Sequence, residues 1–367
     1  MTSVVLAGGG TAGHVSPLIA TAEQLRAAGA ELTCIGTPLG LENRVVPAAG
    51  YTLRLIPAVP LPRKPKLELM SVPLRLRTAV NEAKKVLSQV HAEVAVGFGG
   101  YVSLPVYLAA RALHIPVVVH EQNALPGLAN RVAAKFATAV LVSFPGTELP
   151  HAKVTGLPVR AKLAALAQQG RTNFRKPAAA AFGLDPQRAT LLVSGGSQGA
   201  RSINTALLAA RTALLDADIQ ILHVVGPKNM NADIVPLVGS TGARYEPAAY
   251  LDDMEDAYAL ADLMLCRSGA ATVVETTLIG LPALYVPYPV GNGEQERNAA
   301  PAVAAGAGLL IRDADLSADR LLATVPPLLG DAVTLQRMAA AGAALSPTGA
   351  AERVADVVLA VARGKHG

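Results

Sequence analysis

The chain of 367 residues has no tryptophan, only 4% aromatic residues and two cysteines. It holds no arginine-rich run interleaved with aromatics on which bases could stack, so a nucleic-acid partner is not expected. Cys34 and Cys266 stand alone in different halves of the chain. That separation argues against a disulfide framework and against a cysteine metal site, and both read as buried thiols. No stretch reaches the ~18 apolar residues of a membrane span. The opening Met1 to Ala7 gives way to three glycines too early for a signal peptide, so the chain is expected to stay in the cytoplasm. Two nucleotide fingerprints are also missing. No Lys-Ser or Lys-Thr pair follows a glycine turn as in a P-loop, and Gly8-Gly9-Gly10-Thr11-Ala12-Gly13-His14 is not spaced as G-x-G-x-x-G.

What is present is abundant apolar material, 51% of residues, in a length that suits two domains of about 150 residues each. The net charge of +5 is unevenly spread: residues 1–160 hold 15 Lys and Arg against 8 Glu, whereas residues 161–367 hold 17 against 19 acidic groups. A basic first half points to an anionic surface or substrate on that side.

Strand-like runs alternate with helical patterns, and each run ends in a polar or glycine-rich turn. Val4 to Ala7 leads into the Gly8–His14 turn and a helix expected near Ser16-Pro17, since proline suits a first helical turn. Val94 to Val96 leads into Gly97-Phe98-Gly99-Gly100-Tyr101, and Val117 to Val119 into His120-Glu121-Gln122-Asn123. If the strands are parallel, the three turns gather on one rim. Glycines there let the backbone approach a phosphate or sugar. His14, at the mouth of the first turn, is a candidate general base, with a structural or solvated imidazole as the plain alternative.

Thr155 to Arg160 marks the end of a first domain, 1–160. After a Gly- and Pro-punctuated stretch, Leu191 to Ser194 and Gly195-Gly196-Ser197-Gln198-Gly199-Ala200 repeat the opening strand and turn. A second unit, 161–350, is therefore expected, with residues 351–367 forming a helix that can return to the first. The fold class is α/β, two tandem Rossmann-like domains facing a cleft. In the second unit, Leu263 to Cys266 meets Arg267-Ser268-Gly269-Ala270 and a helix carrying Glu275. Unpaired N–H groups and the helix dipole suit an anion there, and Glu275 can take two sugar hydroxyls. An ordinary βαβ unit with a charged helix is the alternative.

Between Pro57 and Val80, leucines such as Leu61, Leu67, Leu74 and Leu76 alternate with Arg63, Lys64, Lys66, Arg75 and Arg77. This mixture suits the headgroup layer of an anionic membrane, or else a surface loop leading into an amphipathic helix.

The motif series Gly8–His14, Gly97–Tyr101, His120–Asn123, Gly195–Ala200 and Cys266–Ala270, with Glu275 and Gly280-Leu281-Pro282-Ala283, resembles in order and spacing the MurG family of glycosyltransferases. Those enzymes add N-acetylglucosamine to lipid I to make lipid II for peptidoglycan. The resemblance implies a glycosyltransferase B fold, UDP-N-acetylglucosamine as donor, lipid I as acceptor, inversion at the anomeric carbon, no cofactor and no bound metal. It also implies peripheral attachment to the cytoplasmic side of the cell membrane. The chain departs from the family at Ala12, Leu157 and Glu294, where Gly, Asn and Gln are common.

Granted those substrates, displacement of UDP needs a base at the acceptor 4-hydroxyl and stabilisation of the departing diphosphate. His14 suits the first role, with Glu121 as the alternative. The N–H groups of Gly196, Ser197 and Gln198 suit the second, with Arg160 as a cationic contact. Thr11, Ala12, Gly13, Asn123, Leu251, Ser268, Glu275, Gln295 and Asn298 complete the expected donor site. Gln295 is preferred over Glu294 because an amide both donates and accepts. Asp216-Ala217-Asp218 and Asp313-Ala314-Asp315 match the Asp-x-Asp cation motif of other sugar transferases, but their placement reads as solvated loop or helix-end charge. A UDP-N-acetylglucosamine 2-epimerase, a non-catalytic nucleotide-sugar subunit and, least favoured, an NAD oxidoreductase are the competing classes.

Overall fold

The computed structural model describes residues 1–59 and 71–364. The chain divides into two compact units, one made of Met1–Arg160 with Gly349–Gly367 and the other of Ala161–Thr348.

The first unit alternates strand and helix: β1 (Ser3–Ala7), α1 (Ala12–Ala27), β2 (Glu31–Gly36), α2 (Glu42–Ala48), β3 (Thr52–Leu55), α3 (Val72–Gln89), β4 (Val94–Gly97), α4 (Ser103–Ala112), β5 (Val117–Glu121), α5 (Leu128–Ala133), β6 (Ala139–Val142) and β7 (Ala152–Val154). The strands form one sheet in the order β3-β2-β1-β4-β5-β6-β7. All neighbours run parallel, with Ala7 beside Gly97 and Gly97 beside Val119. β1, β4 and β5 are buried along their whole length, as continuous Val- and Ala-rich runs must be when helices cover both faces. α3 buries only Ala79, Ala83 and Leu87, one stripe at fourfold spacing, and exposes Leu74, Arg75 and Arg77. Most of the Leu- and Arg-rich stretch before it, 60–70, lies outside the described residues.

The second unit contains α6 (Ala161–Gln169), α7 (Arg175–Phe182), β8 (Thr190–Ser194), α8 (Arg201–Asp216), β9 (Gln220–Val224), β10 (Leu237–Val238), β11 (Arg244–Ala248), α9 (Met254–Leu260), β12 (Leu263–Cys266), α10 (Ala270–Leu278), β13 (Ala283–Tyr285), α11 (Glu294–Ala304), β14 (Gly308–Leu310), α12 (Ala318–Leu329) and α13 (Ala332–Leu345). Its sheet runs β10-β11-β9-β8-β12-β13-β14, parallel except for β10 against β11.

α14 (Ala350–Ala362) belongs to the first unit, where Val354, Val358 and Leu359 join the core with Val4, Leu6 and Leu18. Each such side chain contributes about 1.5–3 kcal/mol on burial. The Arg353 guanidinium fixes the helix by donating to the Thr155 carbonyl at 2.8 and 3.1 Å.

The first helix starts earlier than expected. Thr11 is its N-cap, with its carbonyl accepting from the N–H groups of His14 and Val15, so Pro17 falls inside the helix rather than in its first turn. His14 is therefore a residue of the helix's first turn.

Candidate functional site

In the first unit, the turns after β1, β4 and β5 lie side by side at the C-terminal edge of the sheet. They pack backbone on backbone. A Cβ on Gly100 (φ +81°) would stand 2.6 Å from the Gly9 carbonyl oxygen, so only glycine lets the second turn close on the first.

The first turn is braced from below by Glu42, a residue sequence reasoning missed. Its side chain is fully buried at the start of α2 and accepts from the Gly10 N–H at 2.8 Å and from the Thr37 N–H and hydroxyl at 2.9 Å each. The Gly10 N–H of this turn is thereby spent on a carboxylate. The missed signal was weak: a Glu two residues after a glycine, 32 positions from its partner.

Above that brace sits His14, partly buried, with Nδ1 3.2 Å from the Thr11 hydroxyl oxygen. Burial lowers its pKa, while the carboxylates of Glu121 and Glu42 and a backbone hydrogen bond at Gly9 pull the other way. The balance keeps the imidazole neutral and able to accept a proton at neutral pH. Gly13 is partly buried beside it. Ala12 opens the same helix.

Glu121, the alternative base, is occupied otherwise. Only 2% exposed, it accepts from the Asn123 N–H (2.9 Å) and Nδ2 (3.3 Å), the Gly127 N–H (2.9 Å) and Asn130 Nδ2 (2.9 Å). It ties down the turn after β5 and fixes Asn123. Neighbouring His120 donates from Nε2 to the Gly156 carbonyl at 3.0 Å and accepts from Gln122 Nε2 at 3.1 Å. A carbonyl can only accept, which sets this tautomer. Burial drives the His120 pKa down to about 4, so this ring is a neutral strut. Arg160 is partly buried at the end of the unit.

In the second unit, Ser194 lies beside Cys266 and Cys266 beside Tyr285, which brings the Gly195–Ala200 turn, the Arg267–Gly269 turn and the loop after β13 to one sheet edge. The Gly196 N–H donates to Ser194 Oγ at a long 3.3 Å. Among the described residues the N–H groups of Ser197 and Gln198 meet no protein acceptor. This turn is held instead by its carbonyl, since Asn229 Nδ2 donates to Gln198 O at 2.8 Å. Behind it, Asn204 Nδ2 donates to Val225 O, His223 donates from Nε2 to Asn204 Oδ1, and Tyr245 OH donates to His223 Nδ1. Burial and Arg211 lower the His223 pKa to about 4.

Ser268 is fully buried, and its hydroxyl has no hydrogen-bond partner among the described residues. Its carbonyl accepts from Asn298 Nδ2 at 3.4 Å. Glu275 lies in the second turn of α10, with Tyr258 OH donating to its Oε2 at 2.7 Å. Gln295 Oε1 accepts from the Tyr288 N–H at 2.9 Å, which orients the amide at the start of α11. Leu251 is partly buried in the connection before α9.

Arg267, not singled out from sequence, is a strut. It donates to Val286 O, Pro287 O, Ser202 Oγ and Asp313, joining three loops. Asp313 thus reads differently from the solvated charge expected, because its carboxylate is largely buried in this ion pair and also accepts from Ser202. Asp216 accepts from Ser240 and Asp218 pairs with Arg188.

Two parallel-sheet α/β units, each with ligand-type turns at its strand C-termini, define a glycosyltransferase B class of protein. The N-terminal domain of glycosyltransferase family 28 matches residues 4–142 and its C-terminal domain residues 190–354. A Nocardioides UDP-N-acetylglucosamine–N-acetylmuramyl-(pentapeptide) pyrophosphoryl-undecaprenol N-acetylglucosamine transferase is 54% identical over 363 residues, 98% of each chain. The crystal structure of Acinetobacter baumannii MurG superposes with TM-score 0.77 at 28% identity, covering 98% of this chain and 99% of that one. A Neisseria meningitidis UDP-GlcNAc 2-epimerase shares the fold at TM-score 0.67 and 14% identity, covering 98% and 100%. The chain belongs to the MurG family within glycosyltransferase family 28.

Proposed function

We propose that the protein transfers N-acetylglucosamine from UDP-N-acetylglucosamine to the 4-hydroxyl of the N-acetylmuramoyl residue of lipid I, with inversion, forming lipid II. The observation that carries this reading is the 54% identity, along almost the whole chain, to a transferase whose name states that reaction. His14 takes the hydroxyl proton as the O4–C1 bond forms and the C1–phosphate oxygen bond breaks, and UDP departs with the electron pair. The unengaged N–H groups of Ser197 and Gln198 and the hydroxyl of Ser268 receive the diphosphate, and Arg160 adds a positive charge. Glu275 takes the ribose hydroxyls, Asn123, Gln295 and Asn298 take the transferred sugar, and Leu251 borders the uracil. Thr11, through its contact with His14, sets the ring orientation.

The proposed site of action is the cytoplasmic face of the cell membrane, supported by the exposed Leu74, Arg75 and Arg77 of α3. No helix among the described residues is long and apolar enough to cross a membrane. Co-sedimentation with anionic vesicles is expected to fall with salt and in an Arg75→Glu, Arg77→Glu variant, and indifference to both would remove membrane docking through α3.

The deciding experiment is incubation of the purified protein with labelled UDP-N-acetylglucosamine and a lipid I analogue. Label in the lipid product is expected. Conversion of the donor alone to its 2-epimer, without transfer, would favour the epimerase reading.

A further inference from the structure

Tyr258 is a residue of α9 that is 3% exposed, and its ring fills space that phenylalanine would fill equally well. What phenylalanine would lack is the hydroxyl, which is spent on one acceptor, Oε2 of Glu275, at 2.7 Å. The carboxylate can only accept, so the phenol is the donor. Burial and the Glu275 carboxylate push the phenol pKa well above its usual value, and the proton stays on the tyrosine.

A glutamate's last torsion is soft and close to two-fold, so a carboxylate on a partly buried helix face ordinarily samples many planes. Pinning one oxygen selects one plane. A cis-diol demands such a plane, because its two hydroxyls reach a carboxylate best when both oxygens face them together.

We infer that Tyr258 is a positioning residue for nucleotide recognition: its hydroxyl holds the Glu275 carboxylate in the orientation that accepts the 2′- and 3′-hydroxyls of the donor's ribose. The inference rests on the proposed donor role of Glu275. It makes Tyr258 and Glu275 a unit that reads the ribose, separately from the base and the transferred sugar. A site built to hydrogen-bond a hydroxyl discriminates strongly against the analogue lacking it, provided its own groups are held in place.

The test is calorimetric binding of UDP and of 2′-deoxy-UDP to the full chain, as wild type and as Tyr258→Phe. The substitution removes one oxygen and conserves the ring, and thermal unfolding reports that the fold is kept. Wild type is expected to prefer UDP by about tenfold or more, the worth of one hydrogen bond to a charged group. In Tyr258→Phe, UDP affinity is expected to fall about 5- to 20-fold and 2′-deoxy-UDP affinity less than about threefold, so the preference shrinks. With lipid acceptor, the donor KM rises and kcat stays within a few-fold. Equal weakening of both ligands would show a packing role and overturn the inference, as would an unchanged preference. Wild type that fails to distinguish the two ligands would remove Glu275 from the ribose site, a different failure that takes the inference with it.

Discussion

Replacing Glu42 by alanine should damage the first unit far more than its distance in sequence from the glycine turn suggests. The side chain is fully buried and accepts three hydrogen bonds, from Gly10 N–H, Thr37 N–H and the Thr37 hydroxyl. Its side chain is packed so closely that a Cβ on Gly9, Gly36 or Gly40 would run into it. Removal strands the Thr37 N–H and hydroxyl in a buried setting, at about 1–3 kcal/mol each, releases the N–H of the exposed Gly10, and leaves a void. Such costs are not additive where one loop relaxes for all three, so the expected loss is about 3–5 kcal/mol. In calorimetry each kcal/mol lowers the midpoint of a unit this size by about 2–4 °C, which places the shift at about 6–20 °C. Glu42→Gln keeps the volume but must turn its NH2 toward one of the donors, and should cost about half as much. Turnover should fall in both variants, because Gly10 leads directly into Thr11 and His14, while UDP affinity, which the proposed function assigns mainly to second-unit residues, should change far less. A loss of stability below about 1 kcal/mol in Glu42→Ala would refute the idea that this carboxylate supports the turn.

His14→Ala should lower turnover by about 10²- to 10⁴-fold with UDP affinity nearly unchanged, and a change within a few-fold would remove it as the base. Because burial lowers the His14 pKa, the acid limb of the wild-type rate profile should fall below the usual ~6.5 of imidazole and be absent from the alanine variant. His120 and His223 have folded pKa values of about 4, below those of the unfolded chain, so the unfolded state binds more protons between the two values. Stability should therefore hold above about pH 6.5 and decline as pH falls toward 4, by up to about 3 kcal/mol per ring, and urea midpoints that do not move over that range would contradict their burial as neutral struts. Glu275→Ala should weaken UDP binding by the worth of a charged hydrogen bond, about 1.5–3 kcal/mol, and unchanged calorimetric affinity would end its assignment to the ribose.

The legible parts of this molecule are those whose physical demand is local. A buried parallel strand must be an apolar run, and a backbone that approaches another backbone must be glycine, so β1, β4, β5, β8 and β12 and the turns after them can be read directly. β11 could not be, because Arg244-Tyr245-Glu246-Pro247-Ala248 contains a proline and charges. It is nonetheless an interior strand, since β10 covers only Arg244 and Tyr245 and the proline lies beyond that pairing. The side chains that hold the turns were equally hidden. Glu42 to Gly10, Arg267 to Asp313 and Asn229 to Gln198 are tertiary contacts between separate elements and turns, with no spacing rule to announce them. Glu121 was visible as a carboxylate at the right edge, but its choice between base and anchor depends on four donors, none of which a linear pattern reveals.

Those hidden anchors separate two turns that look alike in sequence. A glycine turn has no side chains of its own to fix it, so something else must bind its backbone, and the choice of partner decides the local field. In the first unit the partners are carboxylates: Glu42 takes the Gly10 N–H and Glu121 the turn after β5, which puts two negative charges within electrostatic reach of His14. That field favours a proton arriving on the imidazole and disfavours an anion resting on the same turn. In the second unit the corresponding turn is held by a neutral amide at its carbonyl, Asn229 on Gln198 O, and the N–H groups of Ser197 and Gln198 keep their donors. That arrangement favours a negative group and offers nothing to a proton. One strand-turn-helix unit used twice thus carries two opposite local fields, and the proposed function assigns the first to a base and the second to a departing diphosphate.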